Sequence, residues 1–162
     1  MGKNKRPGIS LFFVFCISYC LFAPQTFCEE KLVSKNAVIY FDPKTLEIGD
    51  AGQKALDAVF EAVKDKKIEC VVLVGYSDSI GSKRYNYSMS QKRAKSVFKY
   101  LKAKGITDEG LYIVIPKGGQ EYLTDNETPE NRAINRQVRV KVNYYDNVIE
   151  HPLGAPKNPT LE

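Results

Sequence analysis

The sequence predicts an α/β fold of the sandwich (α+β) kind, in the order βαβαβ(α)β with helices packed on a sheet. Three observations predict it. Apolar runs of strand type at residues 37–41, 68–74 and 111–115 are separated by two stretches with helical spacing. A later stretch alternates, with Val138, Val140 and Val142 facing one way and Gln137, Arg139 and Lys141 the other. Just before it, Thr128-Pro129 pairs an N-cap with a proline at the first helical position, which starts a short helix. At 162 residues the chain has room for one domain with a real core, plus tails.

Residues 1–28 read as a targeting segment. Lys3, Lys5 and Arg6 precede an apolar run over residues 9–23, which is short against the ~20 residues that span a bilayer. A secretory signal peptide follows, with Thr26 and Cys28 at the −3 and −1 positions of the cut. Cys20 and Cys28 are candidates for lipid attachment, but each follows a bulky residue, Tyr19 or Phe27, where a small one is wanted. Membrane contact is expected only if one of them is lipidated or the segment is retained. The segment also holds three of the 24 basic residues and none of the 19 acidic ones, leaving 21 against 19. The formal charge of +5 is therefore no signal for nucleic acid. Once the segment is removed, Cys70 is the only cysteine left, so no internal disulfide framework forms.

Residues 29–36 read as a polar linker and 37–145 as the folded domain. The first strand ends at Asp42-Pro43, and Lys44 sits in the loop that follows. Asp50 is suited to cap a helix in which Ala55, Leu56, Val59, Phe60 and Val63 recur at helical spacing. The run 68–74 is apolar apart from Glu69, as expected of a central parallel strand, and Gly75 ends it. The second helix begins after Ser82, or at Ser88, whose spacing to Gln91 is that of a capping box. Ala94, Val97, Phe98 and Leu101 form its apolar face, and Gly105 stops it. A third strand at 111–115 gives way to a turn at 116–120. With Pro152, Gly154, Pro156 and Pro159 and no periodicity, residues 146–162 read as a mobile tail.

Two basic residues run against the apolar grain. Arg93 falls on the flank of the second helix's apolar stripe, where a permanent charge needs a partner or a ligand, and Asp78 is the natural candidate. Arg136 points inward with the valines of the last strand. These residues lie in two blocks. The first holds Gly75, Tyr76, Ser77, Asp78 and Gly81, then Tyr85-Asn86, Met89-Ser90, Arg93-Ala94 and Val97. The second holds Asn126, Thr128, Glu130, Arg132-Ala133 and Asn135-Arg136-Gln137-Val138. Together they resemble the signatures of the OmpA-like peptidoglycan-binding domain family, over roughly residues 36–144.

The resemblance implies helices packed on a mixed four-stranded sheet and a helix start at Ser82; the membrane barrel of some relatives is not expected, because there is no room for its strands. It also implies a periplasmic protein, possibly attached to the outer membrane, that binds the peptidoglycan stem peptide noncovalently through its diamino acid, diaminopimelate in the family. Asp78 and Arg93 take the principal contacts, with Asn86, Arg136 and Ser77 in support. An anion for the ammonium and a guanidinium for the carboxylate is the chemistry a zwitterionic end requires. The chain departs from the family pattern at Tyr76 for His, Ser77 for Thr, Asn131 for Gly and Gln137 for Arg, the last expected to alter the pocket rim.

Other functions fit less well. Gly75-Tyr-Ser77-Asp-Ser79 is a truncated nucleophile elbow, but the only histidine is His151 in the tail, so no catalytic base is at hand. Neither metal-ligand spacing nor a phosphate-binding glycine motif is present, so no enzyme activity and no cofactor are expected. A module that binds other envelope proteins is the alternative function.

Overall fold

Local signals set most of the element boundaries. The computed structural model describes residues 28–149 apart from 107, 109 and 110; the expected signal peptide up to residue 27 and the tail beyond 149 lie outside the described residues. The unit Glu30–Asn147 is described by itself. Its elements are β1 (Cys28–Tyr40), α1 (Asp50–Val63), β2 (Lys67–Tyr76), α2 (Lys83–Lys104), β3 (Tyr112–Gly118), α3 (Pro129–Asn135) and β4 (Gln137–Ile149).

Ser82 caps α2 by accepting from the Tyr85 N–H, and Gly105 ends it at φ +130°. Thr128 caps α3 by accepting from the Asn131 N–H, with Pro129 in the first turn. At α1 the cap is Gly49 rather than Asp50. Asp50 instead puts its carboxylate in the first turn, where the helix dipole favours it.

The sheet order is β1-β4-β2-β3, with β2 parallel to β3 and antiparallel to β4. β1 also runs against β4: Phe41 N–H donates to the Arg136 carbonyl at one end, while Ser34 Oγ donates to Asn143 Oδ1 at the other. Residues 29–36, read as a linker, are therefore strand. They lack an apolar pattern because pairing with β4, rather than burial, holds them. At the other end β4 runs to Ile149, past the expected start of the tail.

Both long helices pack on one face of the sheet. Leu56, Val59 and Val63 of α1 and Ala94, Val97 and Leu101 of α2 meet Ile39, Val71, Leu73, Val138, Val140 and Val142 in a single core. On the opposite face Val72 lies between Lys141 and Ile113, and Val74 between Arg139 and Ile115. Ile113 and Ile115 are exposed there and the two valines half-buried, so β2 is a central strand covered by helices on one side only. Pro116, read as a turn residue, belongs to β3, an edge strand that tolerates its missing N–H.

Two glycines bring α2 close to the sheet. A β-carbon on Gly75 would lie 2.3 Å from the Ser90 carbonyl oxygen, and one on Gly118 2.9 Å from the Tyr87 backbone. Ser90 Oγ accepts from the Gly118 N–H at 3.0 Å, pinning the helix to the end of β3. This close approach fixes where Asn86, Met89 and Arg93 stand relative to the turn after β2.

Candidate functional site

At the end of the sheet where β1 and β2 run out and β4 begins, a cavity of about 170 Å³ opens. Pro43 and Lys44 line it from the loop after β1, and Ser77, Asp78 and Ile80 from the turn after β2. The first turns of α2 contribute Tyr85, Asn86, Met89 and Arg93, and the chain around α3 contributes Arg132 and Arg136. All five residues expected to bind ligand, Asp78, Arg93, Asn86, Arg136 and Ser77, therefore line one cavity.

Their connections differ from the simplest expectation in one respect. The ion pair of Asp78 is with Arg136, Nη1 to Oδ2 at 3.1 Å, and not with Arg93. Both side chains are nearly buried, at 13 % exposed for Asp78 and 11 % for Arg136. Arg136 Nε also donates to the Phe41 carbonyl, and the Ile80 N–H donates to Asp78 Oδ1 at 3.2 Å, closing the turn on its own carboxylate. Asn86 Nδ2 donates to the Asp78 carbonyl at 2.9 Å, which fixes the turn from the helix side. The other end of that amide, Oδ1, is buried without a hydrogen-bond partner among the described residues. Ser77 is held in the sheet by its N–H, which donates to the Gly118 carbonyl.

Arg93 is 2 % exposed, and its guanidinium grips the loop after β1. Nε donates to the Thr45 carbonyl at 3.2 Å and Nη2 to the Asp42 carbonyl at 3.0 Å, while the Phe41 ring lies 5.3 Å from the guanidinium carbon. Burial pushes the Arg93 pKa down, with the charge of Asp78 acting against that and the charge of Arg136 adding to it. An arginine stays charged under such a shift. It therefore presents a fixed positive charge to the cavity while it shapes the cavity wall.

Sequence reasoning gave Arg132 no role, although it stands in the second block. Its Nη1 donates to the carbonyls of Asn126 and Glu127, bracing the loop whose Asn126 Oδ1 accepts from the Ser79 N–H. Asn135 completes that brace, accepting from the N–H groups of Leu123 and Thr124 and donating to Asn126 Oδ1. Of the departures from the family pattern, Gln137 is not at the rim. It donates to the Ile134 carbonyl and accepts from Arg139 Nε, away from the cavity. Tyr76 lies under the Arg139 guanidinium at 5.5 Å. Asn131 Nδ2 reaches both carboxylate oxygens of Asp125 at 2.9 Å. No group of three potential metal ligands occurs among the described residues, and no helix among them is long and apolar enough to cross a membrane.

The family model described as the OmpA family matches residues 40–136, which holds the first block, the second up to Arg136, and every residue of the cavity. The chain belongs to the OmpA family. It is 36 % identical over 107 residues to outer membrane protein A of Bordetella avium, covering 66 % of this chain and 55 % of that protein. To the peptidoglycan-binding protein ArfA of Mycobacterium bovis it is 34 % identical over 105 residues, covering 60 % of this chain and 32 % of the relative. It thus spans about half or less of these OmpA-family relatives. Among solved structures, the cell wall anchor of the T6SS from Pseudomonas aeruginosa superposes with a TM-score of 0.55 at 26 % identity, covering 85 % of this chain and 98 % of that one. The peptidoglycan-associated lipoprotein from Burkholderia pseudomallei shares the fold, with a TM-score of 0.55 at 21 % identity over 67 % of this chain and 89 % of that one.

Proposed function

We propose that this chain binds cell-wall peptidoglycan noncovalently through the side-chain end of the stem-peptide diamino acid, and so anchors or stabilises the bacterial envelope. One observation carries the reading: a single carboxylate, Asp78, shares a cavity of about 170 Å³ with the guanidiniums of Arg93, Arg132 and Arg136. That volume is below the ~300–1,000 Å³ of pockets that enclose whole ligands, so it suits the tip of a polymer's side chain. The ammonium goes to Asp78, on a turn that Asn86 holds in place, and the adjoining carboxylate to Arg93. Arg136 holds Asp78 ionised and in place until the ammonium arrives. Ser77 adds a hydroxyl to the lining. The names of the Mycobacterium bovis relative, a peptidoglycan-binding protein, and of the Pseudomonas aeruginosa cell wall anchor support wall binding as the class of activity. In the same reading residues 1–28 are removed on export, and 37–145 act in the periplasm at the wall.

The test is co-sedimentation of the full chain with purified sacculi, comparing wild type with Asp78→Asn and Arg93→Lys after circular dichroism confirms the fold. Asp78→Asn loses a charge-assisted contact of about 1.5–3 kcal/mol, so its affinity should fall about tenfold or more, and Arg93→Lys, which keeps the charge but loses the two-pronged grip, should fall less. A wild-type chain that stays in the supernatant overturns wall binding, and the envelope-protein module becomes the reading to pursue.

A further inference from the structure

We propose that Lys44 makes this site selective for stem peptides that end at the diamino acid, whose main-chain carboxylate is free in addition to the one at the side-chain end. This rests on the wall-binding reading above. Its first support is the charge balance. The cavity is lined by four cations, Lys44, Arg93, Arg132 and Arg136, and by one acid, Asp78, which Arg136 already neutralises. A zwitterionic tip brings one positive and one negative charge, leaving that excess as it was. A second carboxylate reduces it.

The second support is where the surplus charge stands. Arg132 directs Nη1 to two carbonyls of its own loop, and Arg93 spends Nε and Nη2 on two more. Lys44 is exposed and makes no hydrogen bond or ion pair among the described residues. The cavity holds little more than the tip of one side chain, so the main chain of the same residue comes to rest at its mouth. Lys44 lies there. If the stem continues, it meets a neutral amide; if the stem stops, it meets a carboxylate. As a compact point charge on a flexible stem, an ammonium suits a group whose position the cavity does not fix.

The third support is the backbone. Lys44, at φ +59°, is the only non-glycine with positive φ among the described residues. That conformation is disfavoured for a side chain with a β-carbon and marks a position held by its surroundings. The surroundings are specific: Arg93 bonds the carbonyls of Asp42 and Thr45, and the Glu47 N–H donates to Thr45 Oγ1 at 2.8 Å. The loop thus presents Lys44 from a fixed base, beside Pro43 at the cavity wall.

Calorimetric titration of the full chain tests this with two soluble probes, a stem tripeptide ending in the diamino acid as free acid and the same tripeptide as its main-chain amide. Wild type should prefer the acid by about three- to fivefold, the worth of one exposed ion pair. In Lys44→Asn, whose side chain tolerates positive φ, the preference should vanish, and Lys44→Arg should restore it. Equal wild-type affinity for both probes, or an undiminished preference in a folded Lys44→Asn, overturns the selectivity while leaving wall binding intact. Binding to neither probe removes both readings.

Discussion

Arg93 and Arg136 border the same cavity, both nearly buried, yet the two regions use an arginine's charge in opposite ways. In the middle of α2, Arg93 spends two of its donors on neutral carbonyls of the β1–α1 loop. At the start of β4, Arg136 gives one donor to a carbonyl and another to the carboxylate of Asp78. The first arrangement builds a wall, because a carbonyl has no charge that a ligand can exchange. The second holds an anion ready, because another cation can take the place of Arg136. Arg93 thus carries a structural duty beside its charge at the cavity, while Arg136 serves the carboxylate, and this division can be broken from either side.

The largest effect is expected where the charge serves the fold. Arg93→Ala strands the Asp42 and Thr45 carbonyls and leaves a cavity, so urea denaturation should show a loss of about 3 kcal/mol or more. Next comes Arg136→Met, which leaves the mostly buried Asp78 carboxylate without its cation. Its cost should be about 1–3 kcal/mol, because the cavity lets water reach Asp78. A smaller stability change, about 1 kcal/mol or less, is expected for Asp78→Asn, whose amide oxygen still meets Arg136 and the Ile80 N–H. A variant that barely moves stability while abolishing sacculus binding would confirm the division of labour. If Asp78→Asn destabilises as much as Arg93→Ala, the division is wrong.

The smallest effect lies outside the cavity. The Asn131 amide holds the Asp125 carboxyl below the usual carboxylate range, helped by the Glu127 N–H. A depressed folded-state pKa contributes stability above the ordinary value of about 3.9, and that contribution is lost as pH falls through the lower folded value. Asn131→Gly, which restores the family's residue, should flatten the dependence of the urea midpoint on pH in the acid range. An unchanged slope would mean that the bond contributes nothing in solution.

Much of this was legible before any coordinates. Ser82, Gly105 and Thr128-Pro129 mark helix ends because capping involves only a few consecutive residues. Arg93 and Arg136 stand out because a charge set into an apolar pattern is conspicuous, and Asp78 is the partner such a charge needs; Asn86 and Ser77 follow only from the family resemblance. Arg132 was harder to find, since its work is done on carbonyls three-dimensionally near but without pattern of their own. The same limit hid residues 29–36, whose polar side chains conceal a strand held by backbone pairing.

The sequence alone determined the fold class, the order of elements, and which charges run against the apolar grain. Each of these depends on periodicity or on the nature of single residues. The tertiary structure alone decided who partners whom. Asp78 is fifteen residues from Arg93 and 58 from Arg136, yet it pairs with the distant one. The β1–α1 loop offers Arg93 two carbonyls, and β4 delivers Arg136 to the carboxylate. A salt bridge needs two heavy atoms within about 4 Å, and separation along the chain does not set that distance.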